Sequence, residues 1–223
     1  MNPGGSAQDG IVVRVLGVGN VLWADEGFGV RCVEVLGADW EFPDSVELID
    51  GGTLGLALIP LLQEATHVLL FDAVDHSGEP GSLIVARDDE VPRFMARDKM
   101  SLHQASMNDI LAALEMLGHK PAAFTVVGVK PVELSDYGGS LTPPVRAQVP
   151  RAIEIGLEEL AAWGVVPRRR TAGTDDVAMA GALKMQRYET ERPGEEIAWR
   201  RGDARFFARH AGAAEVDGED EGK

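Results

Sequence analysis

Three side chains spread along the sequence have the types needed to hold a metal ion: Glu26 in ADEGFG, Asp72 in LLFDAV and His103 in SLHQ. Two carboxylates and one imidazole suit a borderline divalent cation such as nickel or zinc, and three donors leave coordination positions open. Glu26 follows the first strand-like run, Asp72 ends another, and His103 opens the segment after a further one. In an open parallel sheet, ligands bind beyond the carboxyl ends of the strands, where such residues gather. Each residue also has a plain structural reading. Glu26 can be an acid favoured by a helix dipole, Asp72 a loop cap, and His103 a surface residue in the first turn of a helix. Spacing alone leaves both readings open.

Other hydrolytic chemistries lack their motifs. There is no G-x-S-x-G elbow and no H-E-x-x-H, and nothing flanks the aspartates as a catalytic pair would require. The single cysteine, Cys32 in GVRCVEVL, excludes an intrachain disulfide framework and a cysteine zinc site, and reads as a small buried hydrophobe.

The stretch GVGNVLWADEGFG, from Gly17 to Gly29, follows the apolar run IVVRVL. A nucleotide-binding α/β enzyme is one alternative for such a turn. The dinucleotide fingerprint needs a third glycine where this chain has Leu22, and Asp50 lies later than the usual acid about 20 residues on. No Walker lysine is present either. A strand followed by Gly-x-Gly-Asn also occurs in peptidyl-tRNA hydrolase-like enzymes, but the net charge of −15 opposes tRNA.

Strands of five to seven residues alternate with helical patterns. IVVRVL, SVELID, HVLLFDAVD, GSLIVARDD and FTVVGVKPVEL read as strands. GFGVRCVEVLGADW reads as a helix with Asp25 as N-cap and Gly37 as stop, and LGLALIPLLQEA as one started by Thr53. SLHQASMNDILAALEMLG has Ser101 and Gln104 as a capping pair and an apolar stripe at Ile110, Leu111, Leu114 and Leu117. TPPVRAQVPRAIEIGLEELAAWG reads as one long helix from Thr142 to Gly164. The expected fold is α/β, a three-layer αβα arrangement with a twisted, mostly parallel central sheet and a C-terminal extension. Residues 1–10 are expected to be a flexible N-terminus, 11–166 the main domain, and 167–223 an extension that is in part poorly ordered. Within it, WRRGDARFFARH mixes aromatics with arginines and reads as a surface helix or a docking segment.

Residues 1–166 carry 10 of the 21 basic and 24 of the 36 acidic side chains, so the main domain is the acidic part. That balance disfavours nucleic acid and anionic lipid and favours cations and basic polypeptides. The start MNPGGSAQDG has no signal-peptide pattern, and no apolar run reaches the ~20 residues of a membrane span. The expectation is a cytoplasmic protein with no membrane insertion.

Taken together, VLGVGNVLWADEGFGVRCVEVL, DGGTLG, FDAVD, SLHQ and GVKPVELSDYGGSLTPPV resemble the maturation endopeptidases of nickel–iron hydrogenases, across roughly residues 11–163. VELSDYGGSL and the tail are most similar to members serving membrane-bound uptake hydrogenases. The resemblance implies a twisted, largely parallel sheet between helices. It implies a protease that removes a C-terminal extension from the hydrogenase large-subunit precursor after nickel insertion. It also implies that Glu26, Asp72 and His103 are metal ligands acting through nickel supplied by the precursor, without a nucleotide, and that the turn Gly51, Gly52 and Thr53 takes part in recognising the precursor. The activity expected is that of a nickel-dependent, aspartic-type or metal-assisted endopeptidase. A non-catalytic chaperone sensing nickel in the same client is the other alternative, and Asp75, His76 and Gln104 are candidates to orient His103.

Overall fold

The computed structural model describes residues 10–95 and 107–171, together with Met185 and Tyr188. Its strands are β1 (Val13–Val18), β2 (Trp40–Glu41), β3 (Val46–Gly52), β4 (His67–Ala73), β5 (Leu83–Arg87), β6 (Ala123–Val129) and β7 (Arg168–Arg169). Its helices are α1 (Phe28–Asp39), α2 (Ile59–Gln63), α3 (Val91–Met95), α4 (Met107–Met116), α5 (Pro143–Arg146) and α6 (Val149–Ala162). Five strands make one sheet in the order β3-β1-β4-β6-β5, parallel except for β5, which runs antiparallel to β6.

The alternation of side chains along each strand sorts the core into two layers. Val13, Val15, Leu69, Phe71, Val127 and Val129 pack with Phe28, Cys32 and Leu36 of α1 and with Ala152, Ile153 and Leu160 of α6. On the other face Leu16, Val68, Leu70 and Val126 meet Leu58, Leu62, Ile110 and Leu114. The central strand β4 is covered on both sides, which is why HVLLF reads as a continuous apolar run rather than an alternating one. The three-layer αβα fold is therefore as expected.

Several local expectations give way to tertiary packing. Helix α1 runs through Gly37 to Asp39 and stops only where Trp40 turns extended to join β7. After β3 the chain enters a 3-10 turn, Gly55–Leu58, before the short α2, so Thr53 opens no helix. The long helix expected after Thr142 is two helices, α5 and α6. Pro150 has no N–H to donate to the carbonyl of Arg146, so the ladder breaks between them. Gly164, at φ +81°, follows the end of α6 as expected. In α4, Ile110 and Leu114 are buried as the stripe requires, but Leu117 lies beyond the helix and is exposed. The Ser101–Gln104 capping pair and the WRRGDARFFARH stretch lie outside the described residues.

Residues 168–170 are tied to the end of α1. Arg168 and Arg169 pair with Trp40 and Glu41, the Arg170 N–H donates to the Asp39 carbonyl at 2.7 Å, and its Nε donates to the Trp40 carbonyl at 3.0 Å. At the opposite end of the strands from the candidate ligands, the His67 ring lies tilted against Trp163 with ring centroids 5.2 Å apart.

Burial lowers the pKa of His67 below its ordinary 6.5, against a smaller opposing effect of the Asp88 charge. The unfolded chain therefore takes up this proton first as pH falls through about 6.5, and the folded state loses stability until the folded pKa is passed. NMR titration should place the His67 pKa below 6.5, and His67→Gln should flatten the loss of stability between pH 7 and the folded pKa.

Candidate functional site

Glycine contacts shape the turn that carries Glu26. Beyond β1 the chain folds back through Asn20 and Trp23 into a 3-10 turn, Ala24–Gly27, entered with Ala24 at φ +43°. A Cβ on Gly19, which has φ +120°, would lie 1.8 Å from the Glu26 carbonyl oxygen. One on Gly17 would lie 2.2 Å from the Gly29 carbonyl oxygen, and one on Gly29 would lie 2.1 Å from the Phe71 carbonyl oxygen and 2.5 Å from that of Val18. These neighbours are backbone and cannot swing aside, so only hydrogen fits. The start of α1 is thereby seated on the ends of β1 and β4.

That seating brings two of the candidate ligands to one edge. Glu26 precedes Gly29 by a single turn, and Asp72 directly follows Phe71. Asp72 lies one residue beyond the last pairing of β4 with β1, Phe71 with Gly17, and stays paired with Gly128 of β6. It continues the alternation of Val68 and Leu70 towards the layer of α2 and α4. Both carboxylates are half-buried. His103 lies outside the described residues, four positions before the start of α4, which packs on the same face. Among the described residues no group of three His, Cys, Asp or Glu is placed to hold a metal, so the two carboxylates alone are not a complete site.

Asp25, expected as the N-cap of α1, does something else. It is fully buried within the 3-10 turn, and Gly27 occupies the cap position. Its Oδ2 accepts the N–H groups of Val132 at 2.9 Å and Glu133 at 3.0 Å, and the Thr142 hydroxyl at 3.0 Å. Its Oδ1 accepts the Thr142 N–H at 2.7 Å. The Asp25 N–H in turn donates to the Glu133 carbonyl at 3.1 Å. One carboxylate thus fastens the Glu26 turn to the segment between β6 and α5. Trp23 adds bridges to Tyr137 and Gly139 and an edge-on ring contact with Tyr137 at 5.1 Å. Sequence reasoning missed this role, although two adjacent acids of which only one can face the sheet edge were a signal for it.

The turn after β3 lies beside the Glu26 turn. The Gly19 N–H donates to the Gly52 carbonyl at 2.9 Å, and a Cβ on Gly51 would lie 3.2 Å from the Gly17 carbonyl oxygen. Gly52, at φ +40°, donates its N–H to Asp50 Oδ1 at 3.1 Å, and Thr53 is exposed with Leu54 and Leu56. Burial raises the pKa of Asp50 above the usual carboxylate value, opposed by the Gly52 N–H and the Arg31 charge. Among the candidates to orient His103, His76 has both ring nitrogens engaged in its own loop. Nδ1 accepts the Gly78 N–H at 3.0 Å, so the proton sits on Nε2, 3.2 Å from the Ser82 carbonyl. Asp75 lies 3.6 Å from the Lys130 ammonium, and Gln104 is outside the described residues.

Beside Gly17 and Gly19 the chain packs against its own carbonyls, those of Gly29 and Glu26. Cys32 is fully buried, and burial pushes its thiol pKa well up, as befits a core residue rather than a nucleophile.

The architecture is that of a solved peptidase. The chain is similar to the hydrogenase maturating endopeptidase HybD from E. coli, with a TM-score of 0.68 and 40% identity over 72% of this chain and 99% of that one. A family model described as hydrogenase maturation protease matches residues 30–159. The hydrogenase expression/formation protein HupM of Azotobacter chroococcum mcd 1 is 52% identical over 196 residues, 88% of this chain and 93% of the relative. The hydrogenase 2 maturation protease of Escherichia coli (strain K12) is 42% identical over 159 residues, 70% of this chain and 96% of the relative. The chain belongs to the hydrogenase maturation protease family, a family of endopeptidases. Among the described residues no helix is long and apolar enough to cross a membrane.

Asp25→Asn tests the fastening. An amide would turn a donor towards either the Thr142 N–H or the three donors at Oδ2, leaving buried groups unpaired. Denaturant unfolding should show a loss of about 1.5–3 kcal/mol, and processing activity should fall further than stability at the assay temperature accounts for. Unchanged activity would mean that the turn holds Glu26 without Asp25.

Proposed function

We propose that the chain removes the C-terminal extension of a nickel–iron hydrogenase large-subunit precursor after nickel has been inserted, and that its client is of the membrane-bound uptake type. Membership of the family supports the reaction, and the 52% identity to the HupM protein over 88% of this chain supports the client type. The observation that carries the site is the contact of Gly29 with the Phe71 carbonyl, which sets Glu26 and Asp72 on one edge of the sheet. His103 supplies the third donor in this reading.

Nickel enters as part of the substrate, held by the precursor's own cysteines. Bound there, it supplies Lewis acidity for a carbonyl or a water. The residues of this chain contribute the rest. Glu26, Asp72 and His103 meet the loaded centre, which positions the scissile bond and makes cleavage conditional on loading. Gly51, Gly52 and Thr53 lie in a turn joined to the Glu26 turn and contact the precursor beside the centre. The two carboxylates are the candidates for general base. Nucleotide and nucleic acid have no part in this reading, and the place of action is the cytoplasm.

Mass spectrometry of the precursor tests it. Nickel-loaded precursor should lose its C-terminal extension with the wild-type chain and remain intact with Glu26→Gln or His103→Ala, while both variants melt within a few degrees of wild type. Nickel-free precursor should remain uncut. Cleavage of nickel-free precursor, or wild-type rates in either variant, would overturn the ligand assignment. Binding without any cleavage by the wild type would instead indicate a nickel-sensing chaperone.

A further inference from the structure

The HupM match of 196 residues is longer than the 166 residues that precede the extension, so it runs on into the extension. HybD is covered over 99% of its length by 72% of this chain, which leaves it no counterpart of comparable size. The extension is thus common to one kind of relative and missing from another.

Its described residues touch α1 at successive points from the helix's C-terminal end towards its N-terminal end. Arg170 bonds the carbonyls of Asp39 and Trp40. The Met185 N–H donates to Glu34 Oε1 at 2.8 Å, and the Met185 side chain packs on the core layer beneath α1. The Tyr188 ring lies over the buried Arg31 guanidinium, 5.5 Å from carbon to ring centroid, and that guanidinium is paired with Glu34 at 2.8 Å. The Tyr188 hydroxyl reaches within 4.0 Å of where a Cβ on Gly138 would sit. Gly138 belongs to the Tyr137–Gly139 segment bridged to Trp23, and the Trp23 carbonyl accepts the Glu26 N–H at 3.0 Å.

A rim of three aromatic rings and one valine therefore stands next to the Glu26 turn: Trp23, Tyr137 and Val132 from the main domain, with Tyr188 from the extension. Tyr137 and Val132 are each 47% exposed, and Tyr188 is half-buried. A polypeptide brought to Glu26 must pass beside this rim, and exposed aromatics anchored on a rigid support are the residues that carry interface energy.

We propose that Tyr188, held over Arg31, completes with Trp23, Val132 and Tyr137 a contact surface for the client polypeptide, and that this surface favours the precursors served by extension-bearing relatives such as HupM over the hydrogenase 2 precursor. The proposal rests on the reading that the client is a hydrogenase precursor. Trp23 and Tyr137 supply the fixed part of the surface, and the extension supplies the part that the HybD-like relatives lack.

The test measures binding and cleavage of two nickel-loaded precursors with the full chain, one the client of an extension-bearing relative such as HupM and one from hydrogenase 2. Tyr188→Ala should bind the precursor of the extension-bearing type about five- to tenfold more weakly, raising KM while kcat at saturation stays at the wild-type level, and Tyr137→Ala, on the part of the surface common to both kinds of relative, should weaken binding of both precursors. Tyr188→Ala should bind the hydrogenase 2 precursor as wild type does, and Tyr188→Phe, which keeps the ring, should behave as wild type with both. Tyr188→Leu, which keeps apolar bulk over Arg31 without the ring, decides the matter should Tyr188→Ala fail to fold. Wild-type affinity of Tyr188→Ala for both precursors, or an equal loss by Tyr188→Ala on both, would overturn the proposal. A wild-type chain that binds the precursors without cutting them contradicts the protease reading and leaves the contrast in Kd readable. One that binds neither contradicts both.

Discussion

The backbone of Gly29 pressed onto the carbonyls of Val18 and Phe71 is the constraint from which the rest of the site follows. It fixes the start of α1 over the ends of β1 and β4, and with it the turn that carries Glu26. Two further contacts keep that turn from relaxing. Gly19 lies against the Glu26 carbonyl, and the buried carboxylate of Asp25 gathers three backbone N–H groups and a hydroxyl from the segment before α5. Charge-assisted bonds to buried backbone donors are stronger than neutral ones. The adjacent acids of ADEG thus divide the work, Asp25 inward as a fastener and Glu26 outward at the sheet edge.

Much of this was legible in the sequence, and the reasons are physical. The five main strands showed because β4 is buried on both faces and β1 and β3 end in glycine turns, patterns that depend on local residue type. The carboxyl-edge positions of Glu26 and Asp72 followed from the ends of the strand-like runs in a mostly parallel sheet. What stayed hidden depended on partners far along the chain. Asp25 looks like a helix cap until residues 132, 133 and 142 are folded against it. Gly37 looks like a stop until Trp40 pairs with Arg169. The glycines of GVGNVLWADEGFG left a phosphate loop open as an alternative because several uses need a residue without a side chain, and only the fold shows carbonyls of the same chain packed against Gly17, Gly19 and Gly29.

The extension extends the same logic beyond the core. Its anchors on α1 involve Arg31 and Glu34, residues on the helix that is seated by Gly29, so the rim beside the site and the site itself share one support. A charge pair inside a helix face, which would otherwise be a costly burial, is covered by an aromatic ring that also reaches the loop next to Trp23.

The most direct measurement is a crystal structure of the full chain soaked with nickel or a spectroscopically distinct substitute, with the ion located by anomalous scattering. The account predicts one ion held jointly by Glu26, Asp72 and His103 at about 2.0–2.2 Å, beyond the ends of β1 and β4. An ion bound elsewhere, or three side chains too far apart to share one, would contradict it.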